Sequence, residues 1–272
     1  MKPNGFHRLA TVLVALLALG LAACSPGTSE PQDRQLVVGA SASPNTMDPS
    51  ASDAAAIPQV LLYNVYETLL KIDGEGLLQP LLANEWVMTP DAKTYTFELR
   101  PQARFASGSQ VTADAVIASI DRIITDPAVL PVLKSQMAPI ESMRAVDENT
   151  VEFVLKQPSH NWLYSMAQTA GIIYDPAGSA TRATQPAGSG PFVFEQWTQG
   201  DSVVLKRNDN YWGTPTKLAG VTFKYFTDAN AMNAAMLAGQ LDVVSNVAAP
   251  QALDQFNDPR FTILEGVTSG EI

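Results

Sequence analysis

The sequence has very little of the chemistry from which catalytic and metal sites are built. Its 272 residues contain one cysteine and two histidines. Beyond residue 23 the only histidine is His160, so a zinc site made from histidine and cysteine cannot be assembled. The G-x-S-x-G, P-loop and G-x-G-x-x-G patterns are also missing, and with them the signatures of α/β-hydrolases, P-loop NTPases and dinucleotide-binding folds. We therefore expect no enzymatic activity, no cofactor and no metal, with His160 in a solvated loop.

Basic residues are also scarce. There are 17 Lys and Arg against 27 Asp and Glu, which gives a formal charge of −10. Nucleic-acid binding requires clustered Lys and Arg to neutralise phosphates, so we expect no nucleic-acid partner. The content of 46% hydrophobic and 16% charged residues is that of a globular protein.

The amino-terminal segment has the pattern of an export signal. Lys2 and Arg8 precede an apolar run at residues 9–21, which is too short to span a bilayer as a stable helix. The run ends in Leu-Ala-Ala-Cys at Cys24, which resembles the lipobox of bacterial lipoproteins. We predict a signal peptide at residues 1–23, lipidation of Cys24 and a flexible tether at residues 24–35. The protein would then be exported and lipid-anchored on the outer face of the cytoplasmic membrane or in the periplasm.

Hydrophobic periodicity predicts a mixture of strands and helices after the tether. Strands are predicted at residues 36–40, 94–100, 151–156, 192–197, 202–207, 221–226 and 241–244. Helical spacing predicts helices at residues 57–70, after Thr112 as an N-cap, and from Asp228 to a stop at Gly239. Because hairpins and strand–helix–strand units alternate, we predict an α/β (mixed α+β) fold.

Several short segments resemble, in one order, family 5 of the extracellular solute-binding proteins, the receptors of peptide and nickel ABC transporters. They are residues 45–49 (NTMDP), 65–70 (VYETLL), 80–86 (PLLANEW), 95–100 (YTFELR), 105–108 (FASG), 111–115 (VTADA), 188–192 (GSGPF), 205–208 (LKRN), 211–212 (YW) and 238–242 (AGQLD). Residue by residue, aromatic and glycine positions of this kind usually serve the core and the turns. We accordingly expect Leu69, Trp86, Phe97 and Phe105 in the core.

The resemblance implies a periplasmic-binding-protein-like type II fold. It implies domain I at residues 36–70 and 176–272, incomplete, and an inserted domain II at residues 71–175. Family members are about twice this length, so the resemblance further implies a truncated form in which domain III is missing. The implied function is binding of a peptide or a related small solute outside the membrane, for delivery to an ABC permease.

The same resemblance implies which residues line the solute. They are Asp53, Ala54 and Ala55 after the first strand, and Ser245, Asn246 and Val247 after the last one. The Asn246 amide can donate and accept hydrogen bonds to a peptide backbone, although asparagine also favours turns without any ligand. Asp53 could face a ligand amine, or it could be a solvated loop acid.

Two other functions remain open from the sequence. One is a non-transporting lipoprotein, scaffold or fragment, whose half-cleft binds a protein partner or no ligand, because the absent lobe would leave apolar surface exposed. The other is an enzyme that uses His160, although no catalytic motif accompanies this residue.

Overall fold

The computed structural model describes residues 34–178, 180–246 and 250–264. The predicted signal peptide, Cys24, most of the predicted tether and Val247 lie outside the described residues. Within these ranges, no helix combines the length and the apolar character needed to cross a membrane.

The helices and strands alternate along the chain. The helices are α1 (Ala56–Leu61), α2 (Ala113–Thr125), α3 (Pro131–Met137), α4 (Trp162–Ser165) and α5 (Ala229–Leu237), with short 3-10 segments at Thr169–Gly171, Pro176–Gly178 and Pro250–Phe256. The strands are β1 (Arg34–Ala40), β2 (Glu67–Thr68), β3 (Leu70–Ile72), β4 (Leu78–Pro80), β5 (Ala83–Met88), β6 (Thr94–Leu99), β7 (Ile140–Asp147), β8 (Thr150–Leu155), β9 (Ile172–Ile173), β10 (Phe192–Thr198), β11 (Ser202–Arg207), β12 (Leu218–Tyr225) and β13 (Val243–Val244). The predicted mixture of both types of element is confirmed.

A five-stranded sheet in the order β10-β11-β12-β1-β13 contains the first and the last strand of the described chain. Strand β1 pairs in parallel with β12 on one side and with β13 on the other. Helix α5 connects β12 to β13, as predicted. Its first turn is capped by Asp228, whose Oδ1 accepts a hydrogen bond of 2.7 Å from the Ala231 N–H.

A separate four-stranded antiparallel sheet has the strand order β5-β6-β8-β7. Tyr95, Phe97 and Phe153 project from one face of it and are fully buried. They surround the Trp162 ring, with the Phe153 ring centroid 5.2 Å from it. Helix α2 begins at the predicted N-cap, where Thr112 Oγ1 accepts a hydrogen bond of 3.3 Å from the Ala115 N–H.

The helix predicted at residues 57–70 is wrong beyond Leu61. Tyr63 has a φ of 62°, and the carbonyls of Asn64 and Val65 accept hydrogen bonds of 2.9 and 3.0 Å from the N–H groups of Phe192 and Gly190. A distant segment therefore takes acceptors that a continuing helix would have used, and tertiary structure overrides the periodicity. Of the four residues expected in the core, Trp86 is the exception, because it is only half-buried on the edge strand β5.

The chain passes between the two sheets twice, and the two passages pair with each other. Strands β2 and β9 are antiparallel, with Glu67 opposite Ile173 and Thr68 opposite Ile172. The predicted domain boundaries, after residues 70 and 175, fall within a few residues of this pair. The division into domains I and II stays a prediction.

Candidate functional site

The carboxyl ends of four strands meet at one edge of the five-stranded sheet. Ala40 at the end of β1 lies opposite Tyr225 at the end of β12. The Tyr225 N–H donates a hydrogen bond of 2.9 Å to the Asp201 carbonyl, in the turn that joins β10 to β11. In open α/β sheets, ligands bind outside the carboxyl ends of the strands. This edge is therefore the candidate solute site.

Ser245 and Asn246 lie at this edge, directly after β13. The Ser245 N–H donates a hydrogen bond of 3.0 Å to the Gly39 carbonyl on β1, which fixes where the segment leaves the sheet. Both side chains are exposed. The Asn246 amide can therefore meet a ligand from solvent.

Asp53, Ala54 and Ala55 lie in the loop that leaves the same edge at the end of β1. Asp53 and Ala55 are exposed and Ala54 is half-buried, packing against the core. The Ala54 carbonyl accepts a hydrogen bond of 3.0 Å from the Ile57 N–H at the start of α1. Among the described residues, no hydrogen bond or ion pair joins this set to Ser245 or Asn246.

Three of the family-like segments meet at the buried carboxylate of Glu67. Its Oε2 accepts hydrogen bonds from Ser189 Oγ at 2.8 Å and from Trp212 Nε1 at 2.9 Å, and its Oε1 accepts one from the Tyr211 hydroxyl at 2.7 Å. Burial raises the pKa of the Glu67 carboxyl, and the three hydrogen bonds oppose that rise. Burial first and the Glu67 charge second raise the pKa of Tyr211, so its hydroxyl stays a donor.

Glycines let the segment that carries Ser189 approach the chain after α1. A Cβ atom at Gly188 would lie 2.2 Å from the Val65 carbonyl oxygen, and one at Gly190 would lie 2.3 Å from that of Asn64. Such distances leave no room for any side chain. The two glycines are therefore needed for close packing rather than for a turn.

Two aromatic residues at the candidate edge were not recognised as site residues from the sequence. Trp197 near the end of β10 and Tyr225 at the end of β12 are half-buried. Among the described residues, Trp197 Nε1 and the Tyr225 hydroxyl have no hydrogen-bond partner. Burial also raises the pKa of Tyr225, which keeps the phenol neutral. Aromatic residues at strand ends are usually core residues, so no local sequence pattern distinguished Trp197 and Tyr225 as candidate site residues.

Asp48 is a buried charged residue to which the sequence analysis assigned no role. It lies in the loop between β1 and α1 and is 8% exposed. Its carboxylate pairs with Arg122 of α2 at 3.1 Å and with Arg182 at 3.6 Å. Within the described part of the chain, no group of three or more His, Cys, Asp or Glu is placed to hold a metal ion.

Comparison with known proteins identifies a family and several relatives of this chain. The family profile described as bacterial extracellular solute-binding proteins, family 5 (Middle), matches residues 78–271. One similar curated protein is the probable D,D-dipeptide-binding periplasmic protein DdpA of Escherichia coli K12, with 32% identity covering 89% of this chain and 49% of that protein. The glutathione-binding protein GsiB of the same strain is 30% identical over 87% of this chain and 47% of its own length. The chain thus spans about half the length of the curated relatives it matches.

Solved structures show the same relationship. The periplasmic binding protein AgaA of A. tumefaciens R10, in complex with agropinic acid, has a TM-score of 0.76 and 30% identity, covering 83% of this chain and 46% of that one. A nickel ABC transporter protein of Bacillus halodurans has a TM-score of 0.72 and 28% identity, covering 82% of this chain and 45% of its own. The fold of the described residues is therefore that of a type II periplasmic binding protein.

Proposed function

Because the chain belongs to family 5 of the bacterial extracellular solute-binding proteins, we propose that it binds a peptide or a related small solute outside the membrane and delivers it to an ABC permease. The observation that carries this proposal is the family match over residues 78–271. The exposed residues at the carboxyl edge of the sheet supply a place for the solute.

Among the possible small solutes, we favour peptides. One curated relative is named for a D,D-dipeptide and another for glutathione, which is itself a tripeptide. In the proposed site the Asn246 amide bonds to the peptide backbone, and the Asp53 carboxylate faces an amine. Ala54, Ala55, Ser245 and Val247 complete the proposed set of solute-lining residues.

The proposal includes export and a lipid anchor. Residues 1–23 serve as the signal peptide and Cys24 carries the lipid, with residues 24–35 as the tether. More than one acyl chain gives stable anchoring. Cys24→Ser is expected to move the protein from the membrane fraction to the soluble fraction of the expressing cells, and mass spectrometry of the unaltered protein is expected to find a diacylglyceryl modification. An unmodified Cys24 would contradict the anchor.

Calorimetric titration tests the solute site directly. The chain is titrated with D-alanyl-D-alanine and with reduced glutathione, and the affinity is compared with those of Asn246→Ala and Asp53→Ala. Removing one hydrogen bond costs about 0.5–1.5 kcal/mol, so each variant is expected to bind roughly 2–10 times more weakly. Asn210→Ala is the matched control, because Asn210 is also exposed but follows β11, which runs to the opposite edge of the sheet. Equal affinities of the Asn246 and Asn210 variants would contradict the site assignment.

A further inference from the structure

The buried carboxylate of Asp48 ties the loop between β1 and α1 to two distant segments. Its Oδ1 accepts hydrogen bonds from the Ser50 N–H at 2.9 Å and from Ser50 Oγ at 2.6 Å. Its Oδ2 accepts one from Arg122 Nη2 at 3.1 Å and lies 3.6 Å from Arg182 Nε. One carboxylate therefore holds two guanidinium groups and the loop backbone.

The two cations are fixed by further contacts. Their guanidinium carbons lie 5.1 Å (Arg122) and 5.6 Å (Arg182) from the ring centroid of Tyr174, at cation–π distance. Arg122 Nη2 also donates to Ser50 Oγ at 2.9 Å. Arg122 Nε also lies 3.3 Å from Oδ2 of Asp126, directly after α2. The side chains of Asp48, Arg122 and Arg182 are only 11–16% exposed, so removing one partner weakens the compensation of the charges that stay buried.

Backbone hydrogen bonds hold the loop from both sides. The Met47 N–H donates to the Ala183 carbonyl at 3.0 Å, and the Leu130 N–H donates to the Ser50 carbonyl at 3.0 Å. Arg122 and Leu130 belong to the predicted domain II, whereas Met47, Ser50 and Ala183 belong to the predicted domain I. The loop is therefore held by both predicted domains.

The proposed solute-lining residues lie immediately beyond this anchor. Residues 51–55 alone separate Ser50 from α1, whose first residues Ala56 and Ile57 are 3% and 0% exposed. A segment of five residues fixed at both ends has few conformations left. The position of Asp53, Ala54 and Ala55 thus depends on the anchor at Ser50.

We propose that the predicted domain II braces the solute site, and that Arg122, acting through Asp48 and Ser50, is a positioning residue for residues 53–55. The effect on solute binding rests on the proposed function. The effect on the loop itself rests on the contacts above and holds without any solute.

Native-state hydrogen exchange tests the brace without a ligand. In Arg122→Met we expect the Ser50 and Leu130 amides to exchange at least about tenfold faster than in the unaltered chain, while the amides of β6 and β8 keep their rates. Arg144→Met is the matched control, because Arg144 forms an ion pair with Glu152 on the four-stranded sheet but is exposed, and among the described residues no ion pair or hydrogen bond joins its side chain to the loop. An unchanged loop, or equal acceleration in β6 and β8, would overturn the proposal, the second because it indicates general destabilisation.

If Arg122→Met fails to fold, a milder variant provides the same test. Ser50→Ala removes only the hydroxyl that bridges Asp48 and Arg122, and we expect the same amides to exchange faster by a smaller factor. If the Ser50 and Leu130 amides of this variant exchange at unaltered rates, the proposal is wrong.

Solute affinity separates the brace from the proposed function. With D-alanyl-D-alanine or glutathione as the probe, Arg122→Met is expected to bind at least about fivefold more weakly, with Arg122→Lys in between and Arg144→Met unchanged. A loosened loop with unchanged affinity would refute the positioning role. Failure of the unaltered chain to bind either probe would refute the proposed function, and the exchange experiment would still decide whether the brace exists.

Discussion

The substitution Gly190→Ala tests whether close packing of the 188–192 segment holds the five-stranded sheet to the chain after α1. The added Cβ would lie 2.3 Å from the carbonyl oxygen of Asn64 and 2.7 Å from its carbonyl carbon. Both neighbours are backbone atoms, so they cannot rotate away. The segment must move by about 1 Å to reach an ordinary contact distance.

The expected cost follows from what that movement disturbs. Overpacking of this kind costs about 1–3 kcal/mol. The shift also strains the hydrogen bonds of 3.0 Å from Gly190 to Val65 and of 2.9 Å from Phe192 to Asn64, each worth about 1 kcal/mol. The sum is about 3–5 kcal/mol, which at about 2–4 °C per kcal/mol lowers the unfolding temperature by roughly 10 °C.

Thermal unfolding followed by circular dichroism measures this loss. Gly74→Ala is the matched control, because a Cβ there meets no atom within 4 Å, and the lower entropy of the unfolded chain should leave stability unchanged or raise it by up to about 1 kcal/mol. If the unfolding temperature of Gly190→Ala lies within about 2 °C of that of the unaltered chain, the argument from the close approach of the two backbone segments is refuted.

Three further substitutions test polar side-chain contacts by urea unfolding. Because the pKa of Glu67 is raised above its ordinary value of 4.5, the folded state binds the carboxyl proton more tightly than the unfolded state does. The contribution of Glu67 to the free energy of unfolding therefore falls as the pH rises from 4.5 through the raised pKa. Glu67→Gln should lack this fall, and a variant with the same dependence of stability on pH as the unaltered chain would contradict the argument. Asp48→Asn should lower the free energy of unfolding by about 3 kcal/mol, because Arg122 and Arg182 lose the anion that they share, although Arg122 keeps its contact with Asp126. Asp209→Asn is the control, because its ion pair has a carboxylate that is 69% exposed, and it should leave the free energy of unfolding nearly unchanged; equal effects of the two substitutions would refute the distinction. Thr112→Ala should cost about 1 kcal/mol through loss of the N-cap of α2, and no loss would show that the cap is not needed.

The sequence predicted the elements whose stability is local. Alternation in Tyr95, Phe97 and Leu99 marks a half-buried strand wherever it occurs, and Thr112 and Asp228 cap helices through contacts three residues away. The helix predicted at residues 57–70 failed for the opposite reason. Its last turns were redirected by donors near residue 190, which no local window contains.

The candidate site shows the same limit more strongly. Glu67 and Ser189 are 122 positions apart, and Asp48 and Arg122 are 74 apart, so their pairing has no signal in spacing or periodicity. The resemblance did direct attention to the segments that contain Asp48, Glu67 and Ser189. It was the structure that showed why these segments carry charge and glycine. The assignment of Asp53, Asn246 and their neighbours to the solute stays a prediction.

The central claim, that this chain is a solute receptor of family 5, is tested most directly by thermal unfolding with and without D-alanyl-D-alanine or glutathione. A ligand at 100 times its dissociation constant adds about 2.7 kcal/mol to the free energy of unfolding, which corresponds to an upward shift of roughly 5–10 °C. We predict one cooperative transition that moves upward with at least one of the two peptides. A cooperative transition that stays in place with millimolar concentrations of both would contradict the claim and favour a folded scaffold without a solute.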